Sequence, residues 1–236
     1  MNKVVFITGS SSGIGKETAF CFARAGWKIV VTYHTKAEDG QRVGEECKKF
    51  GATDVLVEKL NVADDNCLQI TVRNIITKFG KIDILVNNAG ILAQKPLLEK
   101  IFEDIEEQID TNLQGPIKLT QLCLPHIKEG IVNIGSRLGF VSRKNLAVYS
   151  ATKFGMRGFT KGLGQEFPQL RIACVNPGLT ATSMGNAGGA DPAVVGGLVY
   201  KVAVGEIRVK QGGDFNVFEY LQNPIKRFIK FLMIRK

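Results

Sequence analysis

The sequence predicts an α/β protein built on a doubly wound parallel β-sheet. Two observations lead to this prediction: short apolar runs rich in β-branched residues recur along the chain, and stretches with helical periodicity separate them. Because each right-handed crossover returns along the sheet and covers it, helices lie on both faces and give three layers. We expect a single domain over residues 1–222, a common size for this architecture.

Six strands are expected at 4–7, 29–32, 55–57, 84–86, 131–134 and 172–175. A helix should begin at Asp191 and Pro192 and run to about Val204. The last strand is either 207–209 or 215–218, and the pattern does not choose between them. Ligands of such sheets bind beyond the carboxyl ends of the strands, so the motifs that follow strands are the candidates for a functional site.

Composition excludes several other classes of protein. The five cysteines are odd in number and scattered, with no CxxC pair, which indicates reduced core thiols rather than a disulfide framework or a zinc site. The only histidines, His34 and His126, lack the partners of a hydrolase triad, and no metal is predicted. The amino terminus enters a strand without a secretory signal, which indicates a cytoplasmic location.

The net charge of +9 is partly local. Five basic and no acidic residues lie between Pro224 and Lys236, so the rest of the chain carries 9 − 5, or +4. With no recognition motif beside this charge, we predict no nucleic-acid partner. We separate 223–236 as a basic amphipathic tail, which either lies peripherally on an anionic membrane or packs on a neighbouring subunit.

A glycine-rich turn of pattern TGxxxGxG follows the first strand. Its candidate ligand-binding residues are Gly9, Ser11, Ser12, Gly13, Ile14 and Gly15, and helix-forming residues follow from Lys16. Glycines let the backbone approach a pyrophosphate, whose charge the positive end of the next helix stabilises. The position between a strand and a helix therefore predicts a phosphate-binding turn.

Two later features are weaker when each is taken alone. Asn87, Asn88, Ala89 and Gly90 end the fourth strand and, by themselves, indicate a turn. Asn112 lies in a helical stretch where asparagine has poor propensity, so a kink or a functional role is open.

Ser136, Tyr149 and Lys153 form the strongest candidate catalytic group. Residues four apart share one helical face, so the Lys153 ammonium should favour the Tyr149 phenolate. An unperturbed tyrosine has a pKa near ~10, and general acid–base chemistry near neutrality requires a lower value. Ser136 follows the fifth strand and is suited to hydrogen-bond a substrate oxygen where negative charge develops.

Taken together with Pro177 and Gly178, these motifs resemble the short-chain dehydrogenase/reductase family in order and spacing, over residues 3–182. The resemblance implies a Rossmann fold and an NAD(P)(H)-dependent oxidoreductase that transfers hydride between nicotinamide and a carbonyl or secondary alcohol. It implies Tyr149 as the catalytic acid/base and Ser136 as the group that orients and polarises the carbonyl. Lys153 would bind the nicotinamide ribose and lower the Tyr149 pKa, while Asn112 would hold a water of a proton relay.

The resemblance also implies further cofactor contacts. The residues implied to contact the cofactor are Asn88, Ala89 and Gly90 after the fourth strand, and Pro177, Gly178, Thr180 and Thr182 after the sixth strand. Asn61, followed by Val62, replaces the aspartate that usually accepts from the adenine amine, and its amide oxygen can still accept.

The turn after the second strand favours NADP(H). NAD-using members carry an acidic residue there, whereas this chain has Tyr33, His34, Thr35 and Lys36, which would not repel a 2′-phosphate. NAD(H) is the alternative if Glu38 or Asp39 turns inward.

The predicted function is therefore reduction or oxidation of a small-molecule carbonyl or alcohol, with a 3-oxoacyl thioester as one candidate substrate. Family resemblance also implies a homo-oligomer, either a dimer or a tetramer. The alternative is an NADPH-binding sensor or membrane-associated scaffold without turnover. The complete set of Asn112, Ser136, Tyr149 and Lys153 argues against that alternative, because a sensor needs no phenol beside a lysine.

Overall fold

The computed structural model describes residues 2–185 and 187–222. Its strands, numbered along the chain, are β1 Val4–Ile7, β2 Lys28–Tyr33, β3 Asp54–Lys59, β4 Ile82–Asn87, β5 Ile127–Ile134, β6 Arg171–Asn176 and β7 Gly213–Asn216. They form one parallel sheet in the order β3-β2-β1-β4-β5-β6-β7. The predicted doubly wound parallel sheet is confirmed. The predicted tail, 223–236, lies outside the described residues.

The α-helices of the described chain are α1 Gly13–Arg24, α2 Ala37–Lys49, α3 Asp65–Phe79, α4 Phe102–Ile109, α5 Gly115–Cys123, α6 Ala147–Glu166, α7 Pro192–Ala203 and α8 Val217–Gln222. A π-helical turn, Asp110–Gln114, joins α4 to α5, and short 3₁₀ turns lie at Leu97–Glu99, Leu124–His126 and Arg137–Gly139. Within the described ranges, no helix combines the length and the apolar character needed to cross a membrane.

Alternate residues of the central strand face opposite layers. In β1, Val5 and Ile7 pack in a core with α1, α2 and α7, whereas Val4 and Phe6 pack in a second core with α3, α5 and α6. All four residues are fully buried. This explains why β1 is a continuous apolar run: a parallel strand covered on both faces has no solvent-facing side.

The six earlier strands lie where the apolar runs predict them, and β7 settles the alternative at the end of the chain. It spans Gly213–Asn216 and pairs with β6, while Val217 and Phe218 begin α8. Gln211 anchors the segment before β7. Its Nε2 donates to the backbone carbonyls of Gly164, Phe167 and Leu170, the last at 2.8 Å. The positive φ of +65° at Gly212 then turns the chain into the strand.

Helix α7 confirms the prediction for residues after 190. Asp191 is its N-cap, and the carboxylate accepts from the Ala193 N–H at 2.8 Å. Pro192 occupies the first helical position, where its missing N–H leaves no bond unmade.

The sheet order reverses between β1 and β4, which are neighbours in the sheet but distant in sequence. The turns that follow β1 and β4 therefore meet at the switch point, where ligands of open α/β sheets bind. The ends of β5 and β6 lie at the same edge because all strands are parallel.

Candidate active site

The glycine turn between β1 and α1 has space for backbone only. Gly9 and Gly13 have φ values of +62° and +56°, a region that favours glycine. A Cβ on Gly9 would lie 3.0 Å from the Ala89 Cα, and one on Gly15 would lie 2.6 Å from the Gly9 carbonyl oxygen. The side of the turn that faces the protein therefore has no room for side chains. A ligand would approach the turn from its opposite side.

Thr8 joins this turn to the turn after β4. Its hydroxyl oxygen accepts from the backbone N–H groups of Asn88 and Ala89, each at 2.9 Å. In return, the Asn88 side-chain Nδ2 donates to the Thr8 carbonyl at 2.8 Å and the Gly9 carbonyl at 3.2 Å. Asn88, Ala89 and Gly90 therefore stand beside the glycine turn, as predicted from their position after a strand.

Two buried hydroxyls that the sequence analysis missed tie the glycine turn to β2. The Ser10 Oγ donates to the Ile7 carbonyl at 2.9 Å and accepts from the Thr32 N–H at 2.8 Å. The Thr32 Oγ1 accepts from the Gly9 N–H at 2.9 Å. Each buried hydroxyl has partners, and together these bonds join the glycine turn to β2. Only the polar character of Thr32 near the end of an otherwise apolar strand signals this role.

The start of α1 suits a phosphate group. Ser12 is the N-cap and its side chain makes no capping bond, while the first turn contains no acidic residue. The first N–H groups of a helix lack intrahelical acceptors and carry partial positive charge, which attracts an anion. A backbone cradle that a Cβ would fill, placed beside such a helix start, fits the pyrophosphate predicted for Gly9 to Gly15.

The turn after β2 presents exposed positive charge. His34 and Lys36 are exposed, and Lys36 is the N-cap of α2. The carboxylate of Asp39 is paired with Arg42 at 2.7 Å. Lys16 is directed along α1, where its Nζ lies 3.4 Å from a Glu17 carboxylate oxygen.

Asn61 and Val62 lie between β3 and α3. The Asn61 Oδ1 accepts from the Ala63 N–H at 3.1 Å, and the Cys67 Sγ accepts from the Asn61 N–H at 3.3 Å. Asp64 caps α3 by accepting from the Cys67 N–H at 2.9 Å. These bonds place Asn61 in a tight turn at the carboxyl end of β3.

Asn112 lies in the π-helical turn and is 1% exposed. Its Oδ1 accepts from the Ile91 N–H and its Nδ2 donates to the Ile91 carbonyl, both at 2.8 Å. A Cβ on Gly90 would lie 3.0 Å from the Asn112 Oδ1 and 3.8 Å from the Lys153 Nζ. Of the two roles left open for Asn112, the helix is irregular here, and both Asn112 and Lys153 lie at the turn after β4.

Tyr149 and Lys153 lie on the first two turns of α6. The Lys153 Nζ is 5.7 Å from the centre of the Tyr149 ring and donates to the Ile134 carbonyl at 3.0 Å. Both side chains are almost fully buried, at 8% and 5% exposure. The lysine ammonium and the tyrosine ring are therefore buried neighbours on one face of α6.

Ser136 begins the 3₁₀ turn that follows β5. Its Oγ accepts from the Leu138 N–H at 3.1 Å, which leaves the hydroxyl hydrogen free to donate elsewhere. The Arg137 N–H donates to the Pro177 carbonyl at 2.8 Å, so the turns after β5 and β6 are joined.

The segment after β6 returns to the glycine turn. A Cβ on Gly13 would lie 3.3 Å from the Thr182 Cγ2. Thr180 is buried and its hydroxyl donates to the Gly178 carbonyl at 3.2 Å. Pro177, Gly178, Thr180 and Thr182 therefore border the same edge of the sheet as the other predicted site residues.

The cysteines behave as structural thiols. All five are free, and burial raises the pKa of both Cys47 and Cys174 to about 12, so these thiols are neutral near pH 7. Residues 2–185 and 187–222 contain no group of three or more His, Cys, Asp or Glu side chains arranged to hold a metal ion.

A family model described as short chain dehydrogenase matches residues 3–192. The chain belongs to the short-chain dehydrogenase family. The match begins just before β1 and ends at the start of α7, so it includes every predicted catalytic residue.

The relatives that this chain is similar to include reductases. A 3-oxoacyl-[acyl-carrier-protein] reductase of Staphylococcus aureus is 32% identical over 193 residues, which cover 79% of this chain and 78% of that protein. One of Synechocystis is 36% identical over 196 residues, covering 80% and 79% respectively. Among solved structures, a short-chain dehydrogenase from Burkholderia cenocepacia in complex with NADP has a TM-score of 0.87 and 29% identity, with 92% and 96% of the two chains covered.

This short-chain dehydrogenase family member is therefore an NAD(P)-dependent oxidoreductase. The sensor or scaffold alternative has no support from these relatives, which are named as reductases and dehydrogenases.

Proposed function

We propose that this chain reduces a carbonyl substrate, with NADPH as the preferred cofactor and a 3-oxoacyl thioester as the leading substrate class. The observation that carries this proposal is that the buried Lys153 ammonium lies beside Gly90 and Asn112 and near the buried ring of Tyr149, at the edge of the sheet that holds the glycine turn. That arrangement supports Tyr149 as a proton donor next to the proposed dinucleotide site.

The cofactor would be held along the carboxyl edge of the sheet. The turn from Gly9 to Gly15 and the start of α1 would bind the pyrophosphate, and Lys36 with His34 would face the 2′-phosphate. Asn61 and Val62 would border the adenine, while Lys153 would bind the nicotinamide ribose. The segment from Pro177 to Thr182 would close over the nicotinamide end. When bound, NADPH supplies the hydride that reduces the carbonyl carbon.

Tyr149 then supplies the proton. Its phenol donates to the carbonyl oxygen as negative charge develops there, and the Lys153 ammonium stabilises the phenolate that remains. The free hydrogen of Ser136 donates to the same oxygen and fixes its position. Because the Asn112 side chain is engaged by Ile91, we propose that the backbone of the π turn holds the water that returns a proton towards Lys153.

Similarity to the two acyl-carrier-protein reductases supports the thioester as substrate. The complex of the Burkholderia cenocepacia relative with NADP, and a metagenomic blue fluorescent protein in complex with NADPH at 27% identity and a TM-score of 0.85, support the choice of cofactor. The exposed ammonium of Lys36 at the turn after β2 points in the same direction.

The test is the rate of NADPH and NADH oxidation against ketones, aldehydes, quinones and 3-oxoacyl thioesters, measured in parallel. We expect turnover with NADPH and the highest kcat/KM on the thioester. A preference for NADH would overturn the cofactor proposal, and turnover confined to other carbonyls would overturn the substrate class. Binding of NADPH without any turnover would overturn the enzymatic proposal itself.

A homo-oligomer is also proposed. Leu98 and Phe102, just before and at the start of α4, are 99% and 79% exposed, and Ile101 between them is 58% exposed. Apolar side chains grouped on a surface mark interaction sites in soluble proteins. Light scattering on a size-exclusion column should give a dimer or tetramer, and Phe102→Glu should shift it towards the monomer. A monomeric wild-type chain would contradict this proposal.

A further inference from the structure

Arg157 joins three elements around the turn that carries Ser136. It lies one helical turn beyond Lys153 on α6. Its Nε and Nη2 donate to the two carboxylate oxygens of Asp214 on β7, at 2.9 and 2.8 Å, and its Nη1 donates to the Gly139 carbonyl at 2.6 Å. One side of the planar guanidinium thus donates to the Asp214 carboxylate of β7, and its remaining nitrogen donates to the 3₁₀ turn.

The turn packs directly on α6 at this point. Gly139 ends the 3₁₀ turn, and its N–H donates to the Ser136 carbonyl at 2.9 Å. A Cβ on Gly139 would lie 2.9 Å from both the Arg157 Cδ and the Lys153 carbonyl oxygen. The Arg157 Cζ also lies 3.4 Å from the centre of the Phe140 ring, immediately after the turn. The turn therefore lies against the helix so closely that no side chain fits at Gly139.

Asp214 is itself anchored from the sheet. The Asn176 Nδ2 donates to the Asp214 Oδ1 at 2.9 Å, and Asn176 is the last residue of β6. The carboxylate thus connects the guanidinium to the strand end that precedes Pro177, whose carbonyl accepts from Arg137. The turn of Ser136 is held from α6 on one side and from β6 and β7 on the other.

We propose that Arg157 is a positioning residue that fixes the Ser136 hydroxyl at the substrate site by clamping the turn Arg137–Gly139 between α6 and Asp214. This inference rests on the proposed function, because it assigns Ser136 to the carbonyl oxygen. Arg157 acts through Ser136 and needs no contact with substrate or cofactor. Displacement of a catalytic group by about 1 Å can cost about 100-fold in rate, so such a clamp has a measurable effect.

The first test is a double-mutant cycle in kcat for the best carbonyl substrate. Arg157→Gln in the natural background should lower kcat by about 10- to 100-fold and leave the NADPH dissociation constant within about twofold. In a Ser136→Ala background the same substitution should have less than about a threefold further effect, because the hydroxyl to be positioned is absent. An equal effect in both backgrounds, or an unchanged kcat, overturns the proposal.

Arg171→Gln is the matched control. Arg171 also bonds a carboxylate, Glu129 at 2.9 Å, and a backbone carbonyl, Ala203 at 3.3 Å, but it lies at the amino end of β6, away from the site. We expect it to leave kcat unchanged. If Arg157→Gln does not fold, Arg157→Lys and Asp214→Asn replace it in the cycle, because each breaks the paired bonds while keeping a polar side chain of similar size.

A second readout does not depend on activity. Backbone hydrogen exchange at residues 137–140 should accelerate at least tenfold in Arg157→Gln and stay unchanged in Arg171→Gln. If the wild-type chain reduces no carbonyl, the proposed function fails, yet this exchange measurement still tests the clamp. Unchanged exchange at residues 137–140 in Arg157→Gln overturns the clamp even when the enzyme is active.

Discussion

The side-chain amide of Asn112 pairs with both backbone groups of Ile91, accepting from its N–H and donating to its carbonyl at 2.8 Å each. The amide thereby makes the same pair of hydrogen bonds with Ile91, in the segment after β4, that the backbone of a neighbouring strand would make. Because Asn112 lies in a π turn rather than a regular helix, its side chain reaches this segment while α4 and α5 continue on either side.

Asn112→Ala should lower the free energy of unfolding by about 1–3 kcal/mol, because it leaves the polar groups of Ile91 without partners in a part-buried position. Urea denaturation measures this change. Asn74→Ala is the control, since the Asn74 amide bonds only Glu58 at an exposed position, and we expect a change within about 0.5 kcal/mol. Equal stability of the two variants would contradict the structural role of Asn112.

Gly15→Ala should weaken NADPH binding at least tenfold. Its methyl group would lie 2.6 Å from the Gly9 carbonyl oxygen and 2.5 Å from the Asn88 Nδ2, so the turn and the start of α1 must move apart. Fluorescence titration with NADPH measures the dissociation constant. Gly158→Ala on α6 is the matched control, because within the described chain no atom beyond the adjoining backbone of α6 lies within 4 Å of its Cβ position. It should keep the affinity and add about 0.5–1 kcal/mol of stability.

Local patterns account for much of this fold and of the candidate site. The middle residues of strands covered on both faces are apolar, which is why the runs 4–7 in β1 and 84–86 in β4 were predictable, and the motifs after them meet at one edge. The last strand was not predictable, because Gly213–Asn216 contains only Phe215 as a large apolar residue and depends on distant bonds from Gln211. The pairing of Arg157 with Asp214 was missed for the same reason: their contact exists only once β7 is placed beside β6.

Tyr149→Phe should lower kcat by about 10²- to 10⁴-fold and leave the NADPH dissociation constant nearly unchanged, because it removes the proposed proton donor and retains the ring. Tyr200→Phe on α7, whose ring packs edge-on against Phe22, is the matched control and should turn over normally. Steady-state rates with both variants decide the matter. Normal turnover by Tyr149→Phe would remove Tyr149 from the mechanism.

Lys36→Ala should raise the KM for NADPH about tenfold and leave that for NADH unchanged. Lys36 is exposed at the start of α2, where a 2′-phosphate would supply the opposite charge. The difference should shrink at high salt because exposed charges are screened. Lys49→Ala, at the other end of α2, is the control. An equal rise in the KM for NADPH and the KM for NADH would show that Lys36 does not bind the 2′-phosphate.

The Asp214 carboxylate should make the free energy of unfolding depend on pH. Burial acts to raise the pKa of Asp214, but hydrogen bonds from Arg157 and Asn176 outweigh it, so the pKa lies below its usual value. The pKa of an aspartate in the unfolded chain is about 3.9. A carboxyl whose pKa is lower in the folded chain stabilises the fold at pH values above that. The stabilisation is lost as the pH falls through the folded-state pKa.

The free energy of unfolding of the wild-type chain should therefore exceed that of Asp214→Asn by a constant amount above about pH 5, and the difference should narrow below about pH 4. Arg157→Gln should show a similar narrowing, because its Asp214 carboxylate has lost the paired donor. Denaturation curves at pH 7, 5, 4 and 3 measure the trend. A difference that widens towards low pH would show that the Asp214 carboxylate opposes folding, and the ion pair with Arg157 would then not stabilise the turn of Ser136.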